Sequence, residues 1–208
     1  MPGPATAAFP DGYLAIRLEN GTPLVRIHRQ VHGPVWFGPA LGAPPGSRFD
    51  APAGEYRTLY AALSVEGAFA EVVLRRANRV LTRPFVAQYR WTDLRCGRDL
   101  TLVKLFGEGL LYHGVTGDIG AGDDYAASRA LALSLFEAFP DIDGVAYRSR
   151  HNNDELCVAL FDRVVPGDLE AVGGALLLDD AAEIDRLVRL YGAAWDRSDP
   201  VPPLSQAG

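Results

Sequence analysis

Residues 144–161, GVAYRSRHNNDELCVALF, carry the reading of the fold class. Val145, Tyr147 and Ser149 alternate with Ala146 and Arg148 and would share one face of a strand. Leu156 to Phe161 is a continuous apolar run, the pattern of a strand covered on both faces. Between them, Asn152-Asn153-Asp154 is turn chemistry. Taken with the elements on either side, this order lacks regular βαβ alternation. It predicts an α+β fold, a single domain with a mixed sheet and flanking helices, and not a doubly wound sheet.

Upstream, Asp123 or Asp124 can cap a helix running to about Phe139, with Pro140 after it; apolar on most sides, it is expected to be central to the core. Pro84 to Trp91 alternates as a half-buried strand. Thr58 to Leu63 reads as a strand, and Ser64 as the N-cap of a helix from Val65 to about Arg76. On that helix Glu71 shares a face with Gly67, Ala68, Leu74 and Arg75, so small residues leave room for something to approach it. From Gly33 to Gly54 the chain has ten Gly or Pro residues together with Trp36, Phe37, Arg48 and Phe49. A loop this long with bulky aromatics is expected to be functional. Leu14 to Arg29 reads as a short extended segment. Downstream, Ile184, Leu187, Val188 and Tyr191 mark an amphipathic helix starting near Asp180. The domain is expected to span residues 1–195, and the Pro-rich residues 196–208 to form a mobile tail.

The 208 residues, 48% hydrophobic, suffice for one buried core. A net charge of -6 without a basic cluster argues against direct nucleic-acid binding. No apolar run approaches a membrane span, and the first ten residues lack a signal-peptide pattern, so a cytoplasmic protein is expected. Two cysteines and four scattered histidines argue against a structural zinc site or disulfide framework. Lys104 is the only lysine, so nearly all positive charge is arginine, and a single arginine says little by itself. The usual nucleotide signatures are missing. Gly120-Ala121-Gly122-Asp123-Asp124-Tyr125 puts Tyr where a Rossmann fingerprint needs its third Gly and reads as a turn and helix cap. Neither a phosphate-binding GxxxxGK loop nor a GxSxG nucleophile elbow is present.

Four pieces remain, in order: Arg26-Ile27-His28-Arg29; Ser47-Arg48-Phe49-Asp50; Tyr60 to Ser64 with Gly67 to Glu71; and Tyr147-Arg148-Ser149-Arg150. Their order and spacing resemble the RES domain, named for its Arg, Glu and Ser, over roughly residues 26–161. Carried onto this chain, the resemblance implies that the three are Arg48, Glu71 and Ser149, with Arg26 as an earlier arginine and Tyr60 as the aromatic before the Glu-bearing helix. It further implies a fold similar to ADP-ribosyltransferases, NAD as substrate and not as retained cofactor, and possible use of phosphate as co-substrate. The partner it implies is an Xre-like antitoxin of a toxin–antitoxin pair; a homodimer is left open.

The residue types suit that chemistry. Cleaving the nicotinamide–ribose bond passes through an oxocarbenium-like state, which a carboxylate such as Glu71 can stabilise. A planar guanidinium can hold the pyrophosphate through paired hydrogen bonds, a task for Arg48 and Arg26, with Arg150 a weaker candidate. Ser149 would position substrate or acceptor, since no Ser-His-Asp arrangement surrounds it. Tyr60 could stack on a ring of the substrate, and His28, two residues after Arg26, is a further candidate to bind it. The plainer readings are a surface pair between Glu71 and Arg75, and core packing for Tyr60, His28 and His151. Two other functions stay open at this point: transfer of ADP-ribose to a particular protein, and a catalytically idle binding module.

Overall fold

The computed structural model describes residues 12–40, 42–75 and 79–198. Ten strands and six helices follow in chain order among them: β1 (Ala15–Leu18), β2 (Pro23–Arg29), β3 (Thr58–Ala62), α1 (Val65–Val72), β4 (Val80–Leu81), α2 (Arg83–Val86), β5 (Tyr89–Cys96), β6 (Leu100–Leu105), α3 (Glu108–Tyr112), α4 (Asp118–Ala121), α5 (Tyr125–Ala138), β7 (Gly144–Arg148), β8 (Leu156–Phe161), β9 (Leu169–Leu176), α6 (Ala181–Leu190) and β10 (Ala194–Trp195). Eight strands form one sheet in the order β1-β6-β7-β8-β3-β2-β5-β9, and β4 pairs with β10 separately. Within the large sheet only β6 and β7 run parallel. The mixed α+β class expected from the strand–turn–strand at 144–161 is therefore the observed one.

The alternation in β7 and β8 sorts side chains onto two cores. Cys157, Ala159 and Phe161 join Val145 and Tyr147 under the helices, and Val158 and Leu160 join Leu24, Leu59 and Leu94 on the opposite face. Both faces of β8 are thus buried, as its unbroken apolar run requires. Gly144 starts β7 because a Cβ there would lie 2.2 Å from the Ala159 carbonyl oxygen and 2.9 Å from the Leu160 Cα. Both obstacles are backbone of the paired strand. Gly144→Ala is expected to destabilise the fold by roughly 3 kcal/mol, the upper range for overpacking, as read by thermal or denaturant unfolding.

The helices start where side-chain caps are available. Ser64 Oγ accepts from the Gly67 amide, Asp124 Oδ1 from Ala126, and Asp180 Oδ1 from Glu183, so all three expected starts hold. Four expectations change. α1 ends at Val72, earlier than the periodicity suggests. α5 buries only Ser128, Leu131, Ala132 and Leu135, so it flanks the sheet on one face instead of occupying the centre of the core. Residues 84–86, expected to begin a strand, belong to the helix Arg83–Val86: Thr82 caps it, Pro84 sits in the first turn where its missing N–H costs nothing, and the strand starts at Tyr89. The extended segment 14–29 is two strands that pair not with each other but with β6 and β5. Of the expected tail, residues from 199 onward lie outside the described residues. No helix among the described residues is long and apolar enough to cross a membrane.

One junction in the sheet is unlike the others. β2 meets β3 only at Val25 and Ala62, whereas β2 pairs with β5 over all seven of its residues and β3 with β8 over all five. Beyond Val25 the two strands part and open a cleft.

Candidate active site

A cavity of about 430 Å³ fills this cleft. Six of the seven residues singled out in the sequence line it: Arg26 and His28 from β2, Tyr60 from β3, Glu71 from α1, Arg48 from the Gly/Pro loop, and Arg150 from the turn after β7. Ser149 is not on the wall. It is 1% exposed and stands behind Glu71, donating its hydroxyl proton to Glu71 Oε1 at 2.6 Å. The backbone amides of His151 and Asn152, both at 3.2 Å, point to its oxygen. One proton and two lone pairs are thus all engaged, which disfavours attack by this hydroxyl and favours a fixed orientation for the carboxylate.

Arg48 is the most unusual group in the cleft. It is 6% exposed, and neither Nη1 nor Nη2 has a hydrogen-bond partner. Its Cζ lies 4.5 Å from the centre of the Tyr125 ring, a favourable contact for a buried cation. Burial pulls its pKa below the ordinary arginine value. A buried guanidinium with two open terminal nitrogens is costly unless an anion completes it.

The loop that presents Arg48 is pinned from three directions. Asp50, 3% exposed, accepts from the Gly46 and Ser47 amides at 2.9 and 2.7 Å. The Tyr60 hydroxyl donates to Asp50 Oδ1 at 3.0 Å and accepts from the Phe49 amide at 2.9 Å, so its polar end serves the loop while its ring faces the cavity. From α5, Arg129 donates to the Ser47 and Pro45 carbonyls at 3.0 and 3.2 Å. Asp50, Tyr125 and Arg129 were not among the expected site residues. Asp50 carried a signal, an Asp closing a Gly-Ser turn inside the matched motif; Tyr125 reads in sequence only as part of a turn and helix cap, and Arg129 does not stand out in so Arg-rich a chain.

Arg26 plays a more engaged part than expected. It donates to the Pro34 and Trp36 carbonyls at 2.5 and 3.0 Å, and burial lowers its pKa to about 10. It therefore clamps the loop segment 33–36 against β2 while lining the cleft. Arg150 is ion-paired to the exposed Asp123 at 2.8 Å, a contact that raises its pKa, and the phenol of Tyr125 lies within its reach. Arg75 contacts the Tyr125 hydroxyl at 3.5 Å, and no ion pair joins it to Glu71. The surface pair with Glu71 is not formed because α1 has ended before Arg75. Gly67 also differs from expectation: its missing Cβ brings α1 against Ala62 and Glu155 and does not open space beside Glu71.

His28 bonds the Arg29 carbonyl at 3.1 Å and Thr92 Oγ1 at 2.9 Å, and burial depresses its pKa; His151 is depressed for the same principal reason. Neutral imidazole is then favoured in the folded chain, so the unfolded chain binds more protons below the ordinary value near 6.5. Stability is expected to be full above about pH 7 and to fall as pH drops through 6.5 towards 5. Thermal unfolding across that range, with His28→Gln giving a shallower fall, checks this.

The fold and this cleft define an α+β protein with an arginine-lined opening between two halves of one sheet. The chain belongs to the RES domain family, whose model matches residues 23–179. Among solved structures it is similar to a chain of the M. tuberculosis MbcT–MbcA toxin–antitoxin complex, with 18% identity and a TM-score of 0.62 over 83% of this chain and 92% of that one. No curated protein matches.

Proposed function

We propose that this protein is the toxin of a toxin–antitoxin pair and acts by consuming NAD, cleaving its nicotinamide–ribose bond. The observation that carries the reading is Arg48, whose two unpartnered buried nitrogens belong to the same cavity wall as Glu71. Two adjacent N–H donors in one plane match two oxygens of a phosphate group, and no carboxylate of the cleft bonds them in its place. The RES family match and the likeness to a chain from a toxin–antitoxin complex support the biological role.

In this reading Arg48 holds the pyrophosphate, with Arg150 and Arg75 near the mouth. Glu71, steadied by Ser149, lies against the ribose. As the C–N bond breaks, its electron pair leaves with neutral nicotinamide, so no strong general acid is needed. Positive charge develops on the ribose, and the carboxylate stabilises it until phosphate or water adds. The partner would be an Xre-like antitoxin.

The test is incubation of the purified protein with NAD, with and without phosphate, following nicotinamide. Release is expected; a requirement for phosphate indicates phosphorolysis, and release without it hydrolysis. No release under either condition overturns the reading. Labelled NAD carried onto a protein band in lysate would instead indicate a mono-ADP-ribosyltransferase.

A further inference from the structure

α6 and Tyr191 lie beyond residue 179, where the family match ends, yet they bond to residues that support the site from behind. The Tyr191 hydroxyl donates to the Glu66 carbonyl at 3.0 Å and accepts from Asn152 Nδ2 at 3.1 Å. Glu66 is in the first turn of α1, the helix that carries Glu71. Asn152 is the residue whose backbone amide points to Ser149 Oγ, the group bonded to Glu71. One phenol therefore ties together the helix bearing the carboxylate and the turn that orients its hydrogen-bond donor.

The other contacts of this region fix the same geometry. Asn152 Oδ1 accepts from the Asp154 amide at 3.2 Å, so both ends of its side-chain amide are used. Arg186, just over one turn before Tyr191, donates to Glu66 Oε1 at 2.7 Å. The Tyr191 ring stacks on Phe69 at 6.3 Å between centroids and 11° between planes. The packing places the ring, and the hydroxyl makes the two specific bonds.

We infer that Tyr191 is a positioning residue for Glu71, acting through Asn152 and Ser149. Ser149 can aim its single proton at Glu71 only while its lone pairs are held by the amides of residues 151 and 152. With the Tyr191 hydroxyl gone, the turn loses its anchor to α6, the two amides drift from Ser149 Oγ, and the carboxylate loses its fixed orientation. Small displacements of this kind cost rate more than binding.

The inference rests on the NAD-cleaving reading for its rate measurements only. Tyr191→Phe keeps the stacked ring and removes the two bonds. It is expected to lower kcat for nicotinamide release about tenfold with KM nearly unchanged, and to lower Tm by only a few degrees for the two lost hydrogen bonds. Asn152→Ala should do the same. In a Ser149→Ala background the Tyr191→Phe effect should vanish, because the route to Glu71 is already cut. By hydrogen-exchange mass spectrometry, the segment 149–155 should exchange faster in Tyr191→Phe than in wild type. A Tyr191→Phe protein with wild-type kcat overturns the inference, as does an effect that persists undiminished without Ser149. Should the wild-type protein release no nicotinamide, the NAD reading fails and exchange alone decides: unchanged exchange at 149–155 overturns the positioning role, and faster exchange supports it.

Discussion

Glu71→Gln is expected to lower nicotinamide release by about 10²–10³-fold while leaving the protein folded with an unchanged Tm. The substitution keeps the shape and the hydrogen bond from Ser149 Oγ, which donates to Oε1 at 2.6 Å, and removes only the negative charge. A neutral amide cannot balance the positive charge that develops on ribose as nicotinamide leaves. KM for NAD should change less than kcat, because the positive charge sits on the nicotinamide ring in the ground state and moves onto the ribose, against Glu71, only as the bond breaks. Steady-state kinetics with circular dichroism and thermal unfolding on the same preparations make the check. Wild-type turnover in Glu71→Gln would remove the carboxylate from the chemistry.

Arg48→Met should move stability and activity in opposite directions. In the free protein two buried guanidinium nitrogens lack partners, and replacing them with an apolar chain of similar length removes that cost. A gain of about 1–3 kcal/mol is expected, raising Tm by about 2–4 °C per kcal/mol for a chain of this size. The same variant should lose the increase in Tm that NAD produces in the wild type, and with it the nicotinamide release. Arg48→Lys separates charge from shape: a point charge without the planar fork is expected to recover only part of the binding. An Arg48→Met protein less stable than the wild type would mean that the contact with Tyr125 at 4.5 Å outweighs the unmet hydrogen bonds.

Where local signals agree with tertiary structure, the fold could be read from the residues alone. Ser64, Asp124 and Asp180 cap helices because their oxygens compete for free amides whatever surrounds them. β7 and β8 are legible because buried strands select apolar side chains on the faces they cover. β9 could not be read: it is an edge strand, LEAVGGAL, with five consecutive exposed residues, held by backbone pairing to β5 that leaves no pattern in its side chains. At residues 84–86 the alternation misled, since a capping threonine and a first-turn proline outweigh period-two patterning over so short a stretch.

The site divides in the same way. Arg48, Tyr60 and Glu71 belong to ordered motifs and all reach the cavity. The supports are invisible in one dimension, because they come from sequence-distant residues: Arg129 meets Ser47 across 82 residues, and Tyr191 meets Glu66 across 125. Arg26 shows the converse. Its motif was legible, but that its guanidinium would hold the carbonyls of Pro34 and Trp36 could be known only once the loop had folded over it.

The parting of β2 from β3 looks like a boundary between two lobes, yet the path of the chain forbids independent ones. On one side of the seam are β1, β6, β7, β8 and β3, on the other β2, β5 and β9, and the chain passes between the two groups five times. Neither group is a continuous segment, so neither can be expressed, excised or unfolded by itself. The cleft is a gap in a woven fabric: a ligand bound there should delay one cooperative melting transition of the whole protein, not the separation of two halves.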